Sequence, residues 1–105
     1  MFKAMIMLTR RDDMTHEDFV SWWLDEHVPL ASALPGVRKV ILNVVDEGHD
    51  EAGIDGVSEL WFDTQADFEA AYASDVGKAT AADSMAHVRG RVRLFVTENE
   101  YPGQS

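Results

Sequence analysis

The chain has 105 residues, 19 acidic against 9 basic, and a formal net charge of −10. That length holds one core, so a single domain over residues 1–105 is expected, and the charge repels phosphate backbones, which excludes nucleic acid as a partner class. The absence of cysteine excludes disulfides, thiolate nucleophiles and cysteine-ligated metals.

No apolar run nears the roughly 20 residues that span a bilayer. The apolar start, Met1 to Leu8, lacks the small-residue cleavage site of a signal peptide and reads as mature protein. A cytoplasmic location with no membrane partner is the resulting expectation.

In chain order, residues 2–9 form an apolar run without acid or glycine, the pattern of a strand. Thr15 then stands as an N-cap with Asp18 at the capping-box position. A helix is expected over about 16–28, continuing irregularly to about 33. Phe19, Trp23, Leu30 and Leu34 share its apolar stripe, and His27, one turn after Trp23, joins them. Pro29 has no N–H for the carbonyl of Asp25, so the backbone bends just beyond the histidine. Two readings of His27 follow: a core histidine satisfied by one hydrogen bond, or a pocket imidazole that moves protons near neutral pH. Asp25 and Glu26 sit near the helix C-terminus, where negative charge is unfavourable, a hint that they orient the histidine. Trp22 and Trp23 are adjacent, so both cannot face one pocket, and Trp23 is the candidate.

Leu34-Pro35-Gly36 is a turn, and residues 37–45 read as a second strand, apolar on both faces. The glycine-punctuated stretch 46–56 is a polar loop; His49 lies there among carboxylates, with no fixed element to make a metal site. Residues 57–62 form a third strand, with Leu60 and Phe62 on one face and Glu59 and Trp61 on the other. Thr64 caps a second helix whose buried stripe is Phe68, Ala71 and Tyr72, with Gly77 read as its interruption and a further helical piece over about 78–88. Residues 92–97 are the last strand. His16 and His87 fall near helix ends and read as solvated. Arg89, Arg91 and Arg93 are the densest basic group, too small to reverse the charge balance.

The order β-α-β-β-α-β predicts an α+β, ferredoxin-like fold: a four-stranded antiparallel sheet with both helices on one face. The apolar residues on the other face call for a second cover, most simply a homodimer with its sheets packed together.

The run Trp23-Leu24-Asp25-Glu26-His27-Val28-Pro29-Leu30, followed by Leu34-Pro35-Gly36-Val37, resembles the EthD-like family of the dimeric α+β barrel superfamily. Glu59-Leu60-Trp61-Phe62, Ser74-Asp75, Lys78-Ala79 and Phe95-Val96-Thr97-Glu98 extend the resemblance over nearly the whole chain. The family is named for a protein of ethyl tert-butyl ether degradation. The resemblance implies a homodimeric barrel, a pocket between sheet and helices lined by His27, and, as in the family's methylmuconolactone-isomerising members, proton shuttling by that histidine without metal or organic cofactor. It also marks Asp83 and Glu59 as acidic positions, each with a bland alternative: a helix-surface carboxylate for Asp83, an ion pair across the dimer for Glu59. The chain departs from those isomerases at Val40, where they carry a pocket tyrosine, and in lacking their cysteine-bearing helix.

The functional expectation is a cofactor-free catabolic enzyme acting by isomerase-like proton transfer on a lactone, cyclic ketone or related apolar acid. His27 is its acid and base, Asp83 assists, and Trp23, Val40, Glu59 and Trp61 form the substrate-binding set; the partner is a small apolar or aromatic-derived metabolite. Two other readings stay open: a non-catalytic accessory protein that binds such a metabolite, and a cofactor-independent monooxygenase. Arg10 and Arg11 offer attraction for an anionic substrate, or are simply solvated turn residues. No Ser-His-Asp signature, phosphate loop or metal-ligand spacing is visible.

Overall fold

The computed structural model describes residues 1–48 and 51–104, and the reading of His49 lies outside them. Four strands form one antiparallel sheet: β1 (Phe2–Arg10), β2 (Lys39–Val44), β3 (Gly56–Phe62) and β4 (Val88–Val96), in the order β2-β3-β1-β4. Between β1 and β2 lie α1 (His16–Trp22), a π-helical turn (Trp23–His27) and α2 (Val28–Ser32); between β3 and β4 lie α3 (Gln65–Ala73) and α4 (Asp75–His87). This is the expected ferredoxin-like arrangement.

Strand alternation sorts the sheet into two faces. Register pairs Ala4 with Leu60, Ile6 with Ser58 and Leu8 with Gly56, and these residues face the helices. Phe19, Trp22 and Trp23 of the first helical segment and Phe68 and Ala71 of α3 close the core over them. Each fully buried aromatic ring of this kind contributes about 1.5–3 kcal/mol. Gly56 makes the packing possible, since a Cβ there would stand 2.5 Å from the Trp23 ring.

The first helix starts as its sequence dictates: the Thr15 side chain accepts from the Asp18 N–H, and the Asp18 carboxylate accepts from the Thr15 N–H. Its irregularity takes the specific form of the π turn, in which the Val28 N–H reaches back to the Trp23 carbonyl. An i to i+5 bond admits one more residue into the turn just before Pro29, which could not have continued an α-helical ladder.

Two boundaries differ from expectation. The second helical region breaks at Ser74, not Gly77: the Ser74 backbone is extended and its hydroxyl caps α4 by accepting from the Gly77 N–H. Gly77 is instead inside α4, where a Cβ would lie 2.1 Å from the Ala71 carbonyl oxygen, so the missing side chain lets α3 and α4 meet. Strand β4 begins at Val88 rather than Val92. Its alternating arginines obscure the strand in the sequence and are tolerated because β4 is an edge.

Candidate functional site

The π turn sets the site. In an α-helix, residues five apart point in different directions; here they share a face, and the Trp22 and His27 rings are 5.1 Å apart. Both reach one carboxylate on α4. Asp83 Oδ2 accepts from Trp22 Nε1 at 3.1 Å and lies 2.9 Å from His27 Nδ1. A carboxylate offers only acceptors, so the Nδ1 facing Asp83 carries a proton, and in the neutral imidazole the lone pair is then on Nε2. Nε2 points at the Ser84 hydroxyl, 3.4 Å away, which can donate to that lone pair. Asp83 is further held by His87, whose Nδ1–H donates to the Asp83 backbone carbonyl at 2.8 Å while its ring stacks on Trp22 with 4.4 Å between centroids.

His27 is 7% exposed and borders a small cavity between sheet and helices. The walls include Trp23, Ala31, Val40, Leu42, Leu60 and Tyr72, with Ser58, Ser84 and Arg91 as further polar groups. Its volume is about 20 Å³, space for about one water, so a substrate has to displace side chains to enter. Burial pushes the Tyr72 phenol up from its ordinary value against the opposing pull of Arg91 and Arg93, keeping it a proton donor at neutral pH.

A larger recess of about 310 Å³ lies beyond the C-terminal end of β1, beside Arg10, His16 and Asp55. Its cationic side chains and Asp55 are already paired. Asp55 accepts from the Arg10 N–H at 2.9 Å and from the Arg10 guanidinium at 2.8 Å, and its Oδ1 lies 2.8 Å from His16 Nδ1. Burial raises the Asp55 pKa, but those three donors together outweigh it and leave the carboxyl below its ordinary value. Arg11 is held by Asp13 and the Ala86 carbonyl, and Arg89 faces Asp12.

Of the residues singled out from sequence, His27, Asp83, Trp23 and Val40 come together at or beside this cavity. Glu59 and Trp61 do not. Strand alternation sends both to the sheet's other face, where Glu59 pairs with Lys3 of the same chain at 2.6 Å and accepts from Asn43, while Lys3 and Lys39 lie over the Trp61 ring. The hydrogen bond and charge of Lys3, with that from Asn43, hold the Glu59 carboxyl below its ordinary value. Asp25 and Glu26 are exposed, and the carboxylate that orients His27 is Asp83 instead.

His16 and His87 are half-buried and bonded rather than solvated, and Arg10 serves Asp55. Ser84, Arg91, Tyr72 and the role of Trp22 were not evident from spacing. Ser84 adjoins Asp83 and could have been examined with it, whereas Trp22 becomes a partner of His27 only through the π turn.

The chain resembles known proteins over nearly its whole length. The chain is 26% identical over 106 residues to the 4-carboxymethyl-4-methylbutenolide mutase of Pseudomonas reinekei, spanning 93% of this chain and 97% of that one. Its fold matches the crystal structure of an ethyl tert-butyl ether degradation family protein from Bacillus halodurans with a TM-score of 0.78 at 21% identity, covering 94% of this chain and 100% of the other. A dimeric ferredoxin-like protein of unknown function from Thermobifida fusca matches with a TM-score of 0.75 at 18% identity, over 92% and 90% of the two chains. The EthD domain profile matches residues 11–88, and the chain belongs to the EthD domain family.

Proposed function

We propose that the protein is an isomerase-type enzyme that moves a proton on a small unsaturated lactone or related cyclic carbonyl compound, with His27 as base and acid. The observation that carries this reading is the Asp83–His27 pair, which holds Nδ1 on the carboxylate and turns Nε2 toward Ser84 beside the cavity. The mutase relative acts on a butenolide, which supplies the substrate class.

In such a butenolide C4 carries both substituents, so the ring double bond joins C2 and C3 and the removable proton is on the carboxymethyl carbon. Nε2 takes that proton as the C4–O bond breaks and the ring carboxylate leaves, giving an open-chain unsaturated dicarboxylate, and Asp83 stabilises the imidazolium. The other carboxylate then closes a new lactone as Nε2 returns the proton to the carbon next to the opened carboxylate, without net gain or loss. Tyr72, kept protonated by burial, is a donor on the cavity wall for the leaving carboxylate oxygen.

A second copy of the chain is proposed to cover the open sheet face, where Met5, Met7, Ile41, Trp61, Val92 and Leu94 lie together and Val92 and Leu94 are nearly half exposed. A solution mass equal to one 11.7 kDa chain would remove that part of the reading.

The catalytic reading is tested with 4-carboxymethyl-4-methylbutenolide in D₂O, following conversion and deuterium uptake by NMR for the wild type and His27→Gln. Loss of about 10²–10⁴-fold in rate with unchanged thermal unfolding is expected. Binding without conversion or exchange in the wild type would instead favour the non-catalytic accessory role.

A further inference from the structure

The cation cluster Arg89, Arg91 and Arg93 on β4 divides sharply once folded. Arg89 faces Asp12 at 3.3 Å, and the Arg93 guanidinium lies 5.4 Å from the Phe68 ring centroid and 5.3 Å from that of Phe95. Arg91 pairs in register with Leu8, so it projects to the helix side of the sheet, and it lines the same cavity as His27. The positions facing the helices are buried on β1 and β3, but on β4 Arg91 and Arg93 are exposed. The cavity therefore meets solvent beside β4, with Arg91 at that border.

No carboxylate pairs with Arg91 among the described residues, although the chain carries 19 acidic side chains against 9 basic. An arginine left without an acid in so acidic a chain, at the border of a cavity with an ordered base, has its planar donor fork available to a ligand. Its neighbour across the cavity, Tyr72, is neutral, so no protein anion competes there.

We propose that Arg91 is the carboxylate-recognition residue of the His27 cavity, and that the site therefore selects lactone acids over neutral lactones. This rests on the cavity being the substrate site, as in the functional reading above. The guanidinium anchors the carboxylate at the cavity border while the ring is placed inward against His27 Nε2. The overall charge of −10 would otherwise disfavour an anionic substrate, which makes one local cation decisive for selection.

The test uses 4-carboxymethyl-4-methylbutenolide and its methyl ester as paired probes. Dissociation constants are measured by NMR titration on the wild type, Arg91→Gln and Arg91→Lys, and conversion is followed in the same samples. The wild type should bind the acid about 10–100-fold more tightly than the ester. Arg91→Gln should abolish that preference while changing ester affinity less than about twofold, and Arg91→Lys should keep part of it by charge alone. Equal affinity for acid and ester in the wild type, a preference that survives Arg91→Gln, or binding of neither probe overturns the assignment. Binding of the acid without conversion defeats the proton-transfer reading and leaves the role of Arg91 standing, so the two fail separately.

Discussion

Among the described residues, two part-buried aspartate–histidine pairs have nearly equal geometry, Asp55 with His16 at 2.8 Å and Asp83 with His27 at 2.9 Å. Their remaining partners separate them. Asp55 also takes the Arg10 guanidinium and backbone N–H, so its negative charge is already answered and the pair fastens the start of β3 to the end of β1. Among the described residues, Asp83 takes a neutral indole N–H beside His27, with His87 further off at 3.5 Å, and no arginine or lysine pairs with it. In the proposed reaction its charge is the one that stabilises an imidazolium on His27, which borders a cavity. The histidine–carboxylate distance alone is not diagnostic; what else the carboxylate holds decides between a clasp and a proton-transfer site.

Exchanging the carboxylates for amides should break this comparison in opposite directions. Asp83→Asn removes the anion that fixes the His27 tautomer, and turnover of the butenolide acid should fall about 10²-fold with little change in unfolding midpoint. A large loss of stability without a rate effect per folded molecule would show that both pairs are structural.

Asp55→Asn should do the reverse, costing about 2 kcal/mol in denaturant unfolding with the rate per folded molecule kept. The pH dependence sharpens this. The Asp55 carboxyl is held below its ordinary value, so its contribution is complete above that value, about 3.9, and is lost as pH falls through the folded pKa. Wild-type stability should therefore drop more steeply than that of Asp55→Asn as pH falls below about 4. Parallel curves would mean the carboxylate contributes nothing through its charge.

The smallest effect is expected from Trp22→Phe, which keeps the ring but removes the N–H to Asp83. One hydrogen bond of about 1 kcal/mol corresponds to a rate loss of roughly fivefold, carried by kcat rather than KM because Trp22 does not line the cavity. A change confined to KM would place its role in binding.

Some of this was legible beforehand for physical reasons. Periodicity of two in residues 57–62 placed Leu60 and Phe62 opposite Glu59 and Trp61, and the Thr15 and Thr64 caps fixed where helices start. The same alternation, applied to the site list, would have removed Glu59 and Trp61 from the cavity, since they cannot share a face with Leu60. His16 and His87 read as solvated because sequence contains no sign of Asp55 or of the Trp22 ring, which are 39 and 65 positions away and meet them only on folding.

The sequence by itself determined the element order, the two helix caps, the break near Pro29 and the placement of His27 on an apolar stripe, because each follows from neighbours within a turn or two. Tertiary structure alone decided that the break is a π turn, that Asp83 rather than Asp25 or Glu26 holds the imidazole, and that Arg91 borders its cavity. The last two facts depend on side chains of α4 and β4 more than fifty residues after His27 reaching its surroundings, and no local pattern records which distant side chain a buried polar group will find.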